Sequence, residues 1–426
     1  MNPLRSKLAW FRRMAKRLRS LIDQPSSHVT IDQALDLMAN AAGKLDWAEF
    51  EAFTLDDSHI VIRAGFFERL VAGIYQRFQI RMDPIGLLTA LLTPGDPVEG
   101  KLRKQGPFSV ARLLPEYPWF AHVLANAIEQ IRDLPDFSDD KNIMVMSDFG
   151  GEHGKALFNT YSFAFFAQDK SELFQRGVNH LRERHGYNEI SYKRLDSGPS
   201  SRALPDFLEL VDQYVHGVII TIAIDKDIPT LFGSNKHETH AFMVKQLEEL
   251  GFGKWKGPLA EKAARVCHSL AIFSSLLAVD DQVLLWYCDN DAINTDGKHR
   301  SFSHLQEMSK VILSMYATQK LNILGFAKSF ETKSYLDDML SLADLAAGAV
   351  QDLLHMDETA EVIPGGDEKM RVMKWMASKS PFLSKINLLI TKQSDGTVVS
   401  GLVSLSPTQA LRNYDWSGAG VSGVVV

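Results

Sequence analysis

The stretch Asn142-Ile143-Met144-Val145-Met146-Ser147-Asp148-Phe149-Gly150 is where this sequence changes character and where its fold is decided. An apolar run that ends in an aspartate and a glycine reads as a buried strand carrying a carboxylate to the end of a sheet. Upstream, residues 30–131 show helical periodicity, interrupted by Pro94, Pro97, Gly106-Pro107 and Pro115. Downstream, β-rich runs at 142–148, 156–167 and 187–195 precede a helical segment at 202–215 that Gly217 closes. Val218-Ile219-Ile220-Thr221-Ile222-Ala223-Ile224-Asp225 is then the continuous run expected of a strand covered on both faces. Helical sequence occupies 229–280. A second buried run, Val283-Leu284-Leu285-Trp286-Tyr287-Cys288-Asp289, leads to a helix at 302–318, a strand at 321–327 and a long helix at 334–355. Early strands followed by strands alternating with helices predict an α/β fold, a mixed sheet flanked by helices.

Three regions follow from this reading. Residues 1–140 form a mainly helical N-terminal region, residues 141–362 an α/β domain with a helical insertion at about 229–280, and residues 363–426 a C-terminal appendage ending in Gly- and Val-rich sequence.

The 426 residues, 45% apolar and 23% charged, are ordinary for a globular protein large enough for two or three domains. No apolar run reaches the length of a membrane span, so membrane insertion is not expected. Two cysteines, Cys267 and Cys288, make no disulfide framework, and the N-terminus lacks a secretory signal, so a cytoplasmic location is expected. The net charge of −6 hides an asymmetry. Residues 1–25 hold seven basic side chains against Asp23 alone, a net +6, which leaves −12 for the rest. The first of these segments, 4–22, reads as a basic amphipathic helix. It packs on its own domain or meets a protein partner, with phosphates or a membrane surface as the rarer uses.

Several motifs fail on spacing. Gly150-Gly151-Glu152-His153-Gly154-Lys155 is one residue short of a phosphate loop and lacks the Ser or Thr that would hold magnesium. Asp148-Phe149-Gly150 has none of the other kinase elements around it. His237-Glu238-Thr239-His240 is too short for the zinc-protease pattern. The acidic loop from Asp289 to Gly297 departs from the EF-hand spacing.

Four aspartates remain: Asp148, Asp225 and Asp289, each ending an apolar run, and Asp344 on the late helix. Carboxylates gathered at one sheet end repel each other and are costly to bury, and a divalent cation resolves both problems. Mg²⁺ or Mn²⁺ held there would activate water against a phosphodiester. Asp148 and Asp344 are read as core ligands, with Asp225 and Asp289 competing for the remaining position or both contributing. Lys193, Arg194 and Lys226 are candidate phosphate contacts.

The order of these elements resembles the RNase H-like family known as domain of unknown function 3800. That family opens on an acidic strand, has a middle strand ending near a lysine and a later strand ending in aspartate, and closes on a helix with an Ala-Asp pair. The counterparts here are Ser147-Asp148-Phe149-Gly150, Ile224-Asp225-Lys226, Tyr287-Cys288-Asp289 and Leu340-Ser341-Leu342-Ala343-Asp344, spanning about residues 142–355. The family's glutamate beside the first aspartate is absent here. Glu152 would replace it only if its loop folds back, and Ser341 stands where glutamine is usual. The resemblance implies an RNase H-like fold and metal-dependent cleavage of RNA or DNA; the alternative is a non-catalytic RNase H-like scaffold.

Overall fold

The computed structural model describes residues 3–25, 27–56, 66–82, 87, 91, 103–196, 198–327, 333–359, 366–380, 382–403 and 405. The fold is α/β, built on a mixed sheet of seven strands with helices on both faces.

The helices α1 (Pro3–Ile22), α2 (Ile31–Ala41), α3 (Trp47–Asp56) and α4 (Phe66–Phe78) pack chiefly on one another. The basic first helix docks within this group. Leu8, Phe11, Met14, Ala15, Leu18 and Ile22 form its buried stripe. Three of its arginines are also tied to the protein: Arg12 to Glu51 at 2.6 Å, Arg17 to the Leu91 carbonyl at 2.8 Å and Arg19 to the Val29 carbonyl at 3.1 Å. The side chains of Arg5 and Lys7 lie outside the described residues. Among the described residues no helix is long and apolar enough to cross a membrane.

A small antiparallel ribbon of β1 (Arg103–Gln105) and β2 (Asp133–Pro135), with α5 (Trp119–Ile128) between them, leads into the main sheet. Residues 101 and 102 lie outside the described residues. Lys104 donates from Nζ to the Leu277 carbonyl at 3.0 Å, so it closes a helix end instead of facing solvent.

The main sheet begins with β3 (Asn142–Gly150) and β4 (Phe158–Ala167), an antiparallel pair with Asp148 opposite Ser162. β5 (Gly217–Asp225) pairs antiparallel with β4, and β6 (Val283–Cys288) and β7 (Asn322–Ala327) extend the other side in parallel. The strand order is β7-β6-β3-β4-β5-β8-β9. The last two strands, β8 (Leu383–Lys392) and β9 (Val398–Leu402), correct the expectation of an appendage. β8 pairs in parallel with β5 from Gly217↔Leu383 to Ile224↔Ile390, and its Leu388 and Ile390 are fully buried. This part of the region after residue 363 belongs to the sheet.

Side chains alternate between two faces. On one, Met144 and Met146 of β3 and Ile219 and Ala223 of β5 meet α6 (Glu172–His185), α7 (Gly198–Tyr214), α11 (Tyr335–Thr359) and α12 (Gly366–Ala377). On the other, Ile143, Val145, Trp286 and Ile220 meet α5, α9 (Gly257–Leu277) and α10 (Phe302–Tyr316). The helical segment expected as an insertion at 229–280, comprising α8 (Lys236–Glu249) and α9, is therefore the cover of that second face.

The strand expected at 187–195 is absent: its centre is a short 3-10 turn, Tyr192–Arg194. Its apolar residues Tyr187, Ile190, Tyr192 and Leu195 are all buried, and their irregular spacing suits a segment draped over helices better than the strict alternation of a strand.

Candidate active site

Alternation along β3 carries Asp148 onto the face of Met144 and Met146, beneath α11. On the neighbouring strand Leu285 and Tyr287 face the same way, and Asp289 continues that row one residue past β6. The Asp289 amide donates to the Ser147 carbonyl at 3.1 Å, so the parallel ladder runs on to the level of Asp148. Asp148 and Asp289 therefore start about 4.8 Å apart, one strand spacing. From above, α11 lays Asp344 against them.

The carboxyls of Asp148 and Asp344 hydrogen-bond to each other. Burial first, then the neighbouring charges of Asp344 and Asp289, push Asp148 well above the usual carboxylate range. Asp344 is raised as well, chiefly by burial, although the Tyr192 amide and the Ser191 side chain stabilise its charged form. Two carboxyls this close ionise as a pair and hold one proton between them. Their field reaches further, since the charges of Asp148 and Asp289 add to the burial that raises the Cys288 thiol.

Each carboxylate has a fixed seat. Asp148 Oδ1 accepts from the Phe149 amide at 2.8 Å, and Asp344 Oδ2 from the Tyr192 amide at 2.8 Å. The second contact depends on Gly348, because a Cβ there would lie 2.2 Å from the Tyr192 ring. The Tyr192 hydroxyl donates to Asp352 at 2.9 Å, and Lys369 lies over its ring while pairing with Asp352 at 3.1 Å. Below Asp148, a polar rung crosses the sheet, with Ser162 and Thr221 hydroxyls 3.2 Å apart. Thr160 Oγ1 is buried without a partner. Sequence reasoning missed Ser191, Tyr192 and this rung: serine and threonine sit comfortably in strands, and the 192 amide is a backbone group that no motif advertises.

Asp225 does not join the cluster. It lies two strands from Asp148 and four residues beyond its level, about 10 Å across and 13 Å along the sheet. Its Oδ1 accepts from the Asp227 amide at 2.8 Å, and its Oδ2 from Thr391 Oγ1 and the Lys392 amide, both at 3.2 Å. It closes the turn after β5 and clamps β8. Lys226 donates to the His153 carbonyl at 2.9 Å, tying down the β3–β4 loop. Lys193 and Arg194 are exposed on the segment whose amide holds Asp344, with Arg194 bound to Glu189 at 2.5 Å. Glu152 is turned away from Asp148 and pairs with Lys262, which also binds Asp291. His240 pairs with Glu261 at 2.8 Å, while His237 is exposed.

No protein family and no curated protein matches this chain. Among the described residues no group of three or more His, Cys, Asp or Glu side chains is arranged to hold a metal ion. The oxygen-only set of Asp148, Asp289 and Asp344 is nevertheless of the kind hard divalent cations take. The raised carboxyls of Asp148 and Asp344 mark a place short of positive charge.

Proposed function

We propose that this protein is a metal-dependent nuclease of RNase H-like architecture that hydrolyses phosphodiester bonds of RNA or DNA. The observation that carries the reading is the meeting of Asp148, Asp289 and Asp344 at one sheet end, close enough for Asp148 and Asp344 to share a proton. Their placement, on the first long strand, on a later parallel strand and on a late helix, agrees with the acidic pattern of the family that the sequence resembles. Asp289 is the better third ligand, and Asp225 is withdrawn to a structural role.

In this reading the three carboxylates hold Mg²⁺ or Mn²⁺, which when bound activates water and offsets charge on the leaving oxygen. The Phe149 and Tyr192 amides orient two of the carboxylates, as outer-shell groups do at metal sites. Lys193 and Arg194, next to that amide, are placed to meet the phosphate chain.

The hydrogen bond between Asp148 and Asp344 also favours a second reading, an RNase H-like scaffold whose carboxyl pair stays closed on its proton. A cleavage panel of single- and double-stranded RNA, DNA and hybrid, with Mn²⁺, Mg²⁺ or chelator, separates the two. Losing even an outer-shell partner costs about 10–100-fold, so Asp148→Asn and Asp344→Asn should each lose at least that much. Activity equal to the unaltered protein in both variants, or no cleavage under any condition, supports the scaffold.

A further inference from the structure

The pairing of β3 with β6 ends at Ser147↔Cys288, one step short of Asp148 and Asp289, and the Asp289 amide adds one bond beyond it. A second tie between the two segments lies on the other face of the sheet. Side chains alternate along β3, so Phe149 points away from Asp148 and packs in the core beneath α9. There the Lys262 ammonium lies 5.1 Å from the Phe149 ring centre, within reach of a cation–π contact. The same ammonium binds two carboxylates. One is Glu152, four residues after Asp148; the other is Asp291, two after Asp289, at 2.5 Å. The side chains of Lys262 and Asp291 are only 10% and 12% exposed, so this bridge is largely withdrawn from water. Burial opposes the charged form of the lysine, but Asp291 and Glu152 outweigh it and raise the ammonium above its usual range.

Both ends of the bridge lead back to the carboxylate cluster. Phe149, under the ammonium, supplies the amide that seats Asp148 Oδ1 at 2.8 Å. Asp291 Oδ1 accepts from the Ile293 amide at 2.9 Å, and the Asp291 carbonyl from the Asn294 amide at 3.0 Å. Asn294 Nδ2 in turn donates to the Asp289 carbonyl at 2.7 Å, which closes the turn on itself. A buried ammonium must be paired, and one carboxylate would serve that need. Lys262 has two, one in each segment that leaves the site.

We propose that Lys262 is a positioning residue. Its ammonium joins the segments that carry Asp148 and Asp289 and holds the two carboxylates at one fixed separation, acting through Phe149 and Asp291. The proposal rests on the nuclease reading, in which that separation is the one a bound cation takes. Lys262 then does for the site what outer-shell groups do for metal ligands.

Hydrogen–deuterium exchange on the full chain in chelator tests the clamp, and calorimetric titration with Mn²⁺ tests its effect on the site. Lys262→Met keeps an unbranched apolar stem and removes the charge. It should speed exchange on the order of tenfold in both 147–153 and 288–294, as loss of charged hydrogen bonds implies, and leave the interior of β4 and β5 unchanged. Glu152→Gln should loosen the first segment alone and Asp291→Asn the second alone. Lys262→Arg should restore both, since a guanidinium can also bind two carboxylates. Mn²⁺ should bind Lys262→Met about 10–100-fold more weakly than the unaltered chain, and Lys262→Arg within a few-fold of it. If Lys262→Met misfolds, the two single-segment variants still decide. Exchange unchanged in either segment, exchange speeded across the whole sheet, or Mn²⁺ binding unaffected by Lys262→Met would overturn the proposal. The two readings fail separately. An unaltered chain that binds no Mn²⁺ but shows the segment-specific exchange loses the nuclease reading and keeps the clamp, and Mn²⁺ binding without that exchange pattern loses the clamp alone.

Discussion

Asp148 and Asp344 are in contact, and two such groups coexist only while one keeps a proton or a cation lies between them. This has a consequence for stability that is independent of catalysis. Both carboxyls titrate above their unfolded values, so their favourable contribution is present below about pH 4 and is lost as pH rises through the raised folded values. Asp148→Asn imitates the protonated form. In chelator its melting temperature should exceed that of the unaltered protein by a few degrees near pH 8, and the gap should close toward pH 4. Millimolar Mg²⁺ should narrow the gap by stabilising the unaltered protein alone. Thermal unfolding across pH checks this, and a gap independent of pH would count against the shared proton. Asp225 gives the matching contrast. Asp225→Asn should leave cleavage within a few-fold of normal and cost about 0.5–1.5 kcal/mol through its bonds to Thr391 and Lys392. Asp289→Asn should abolish cleavage in the same assay. In the sequence these two aspartates look alike, each ending an apolar run. Strand order separates them, and strand order is set by pairings distant in sequence.

At the scale of elements, α6 and α11 are stapled by a buried ion pair. Arg182 binds Asp338 at 2.7 Å, and Tyr187 donates to the same carboxylate at 3.1 Å. Burial raises Asp338 to about 6 even though Arg182 and Tyr187 pull it down. Its titration contributes stability below about pH 4 that is lost as pH rises through about 6. Arg182→Ala would leave Asp338 without its cation and should cost about 3–5 kcal/mol near neutral pH. The loss should shrink below about pH 4, where the carboxyl is neutral in both folded and unfolded chains; denaturant unfolding at two pH values measures it. Helix α6 was not read from the sequence, although Phe174, Gly177, Val178 and Leu181 recur at helical spacing and Gly186 ends the helix at φ 71°. Gln175, Arg176, Asn179 and His180 between them hide that stripe. Asp338, beside Asp337, gave no sign of its buried partner, because Arg182 lies more than 150 residues away.

For the whole molecule, the long apolar runs announced β3, β5 and β6, and these carry the candidate site. The strands β8 and β9 did not announce themselves. Lys385, Asn387 and Ser400 interrupt the apolar pattern, and only the exposed flank of β5 explains why they pair where they do. Charge poses a related question at the same scale. Outside the first 25 residues the chain carries −12, and three carboxylates gather at the candidate site, so a polyanion gains no general attraction to it. On α1, Arg12, Arg17 and Arg19 are bound to the helical region, which leaves Arg13 and Lys16 as its exposed basic residues among those whose side chains are described. Attraction must be local. Of the two basic residues beside the Asp344 anchor, Arg194 is bound to Glu189, whereas Lys193 is exposed. Lys193→Ala should therefore weaken binding of single-stranded nucleic acid to a similar degree whatever its sequence. It should also reduce the slope of log affinity against log salt by about 0.7, the release of one counterion from a single strand. Binding measured between 50 and about 200 mM salt checks both effects. A slope unchanged by Lys193→Ala would move the path of the phosphate chain elsewhere, while leaving the carboxylate cluster to its own test.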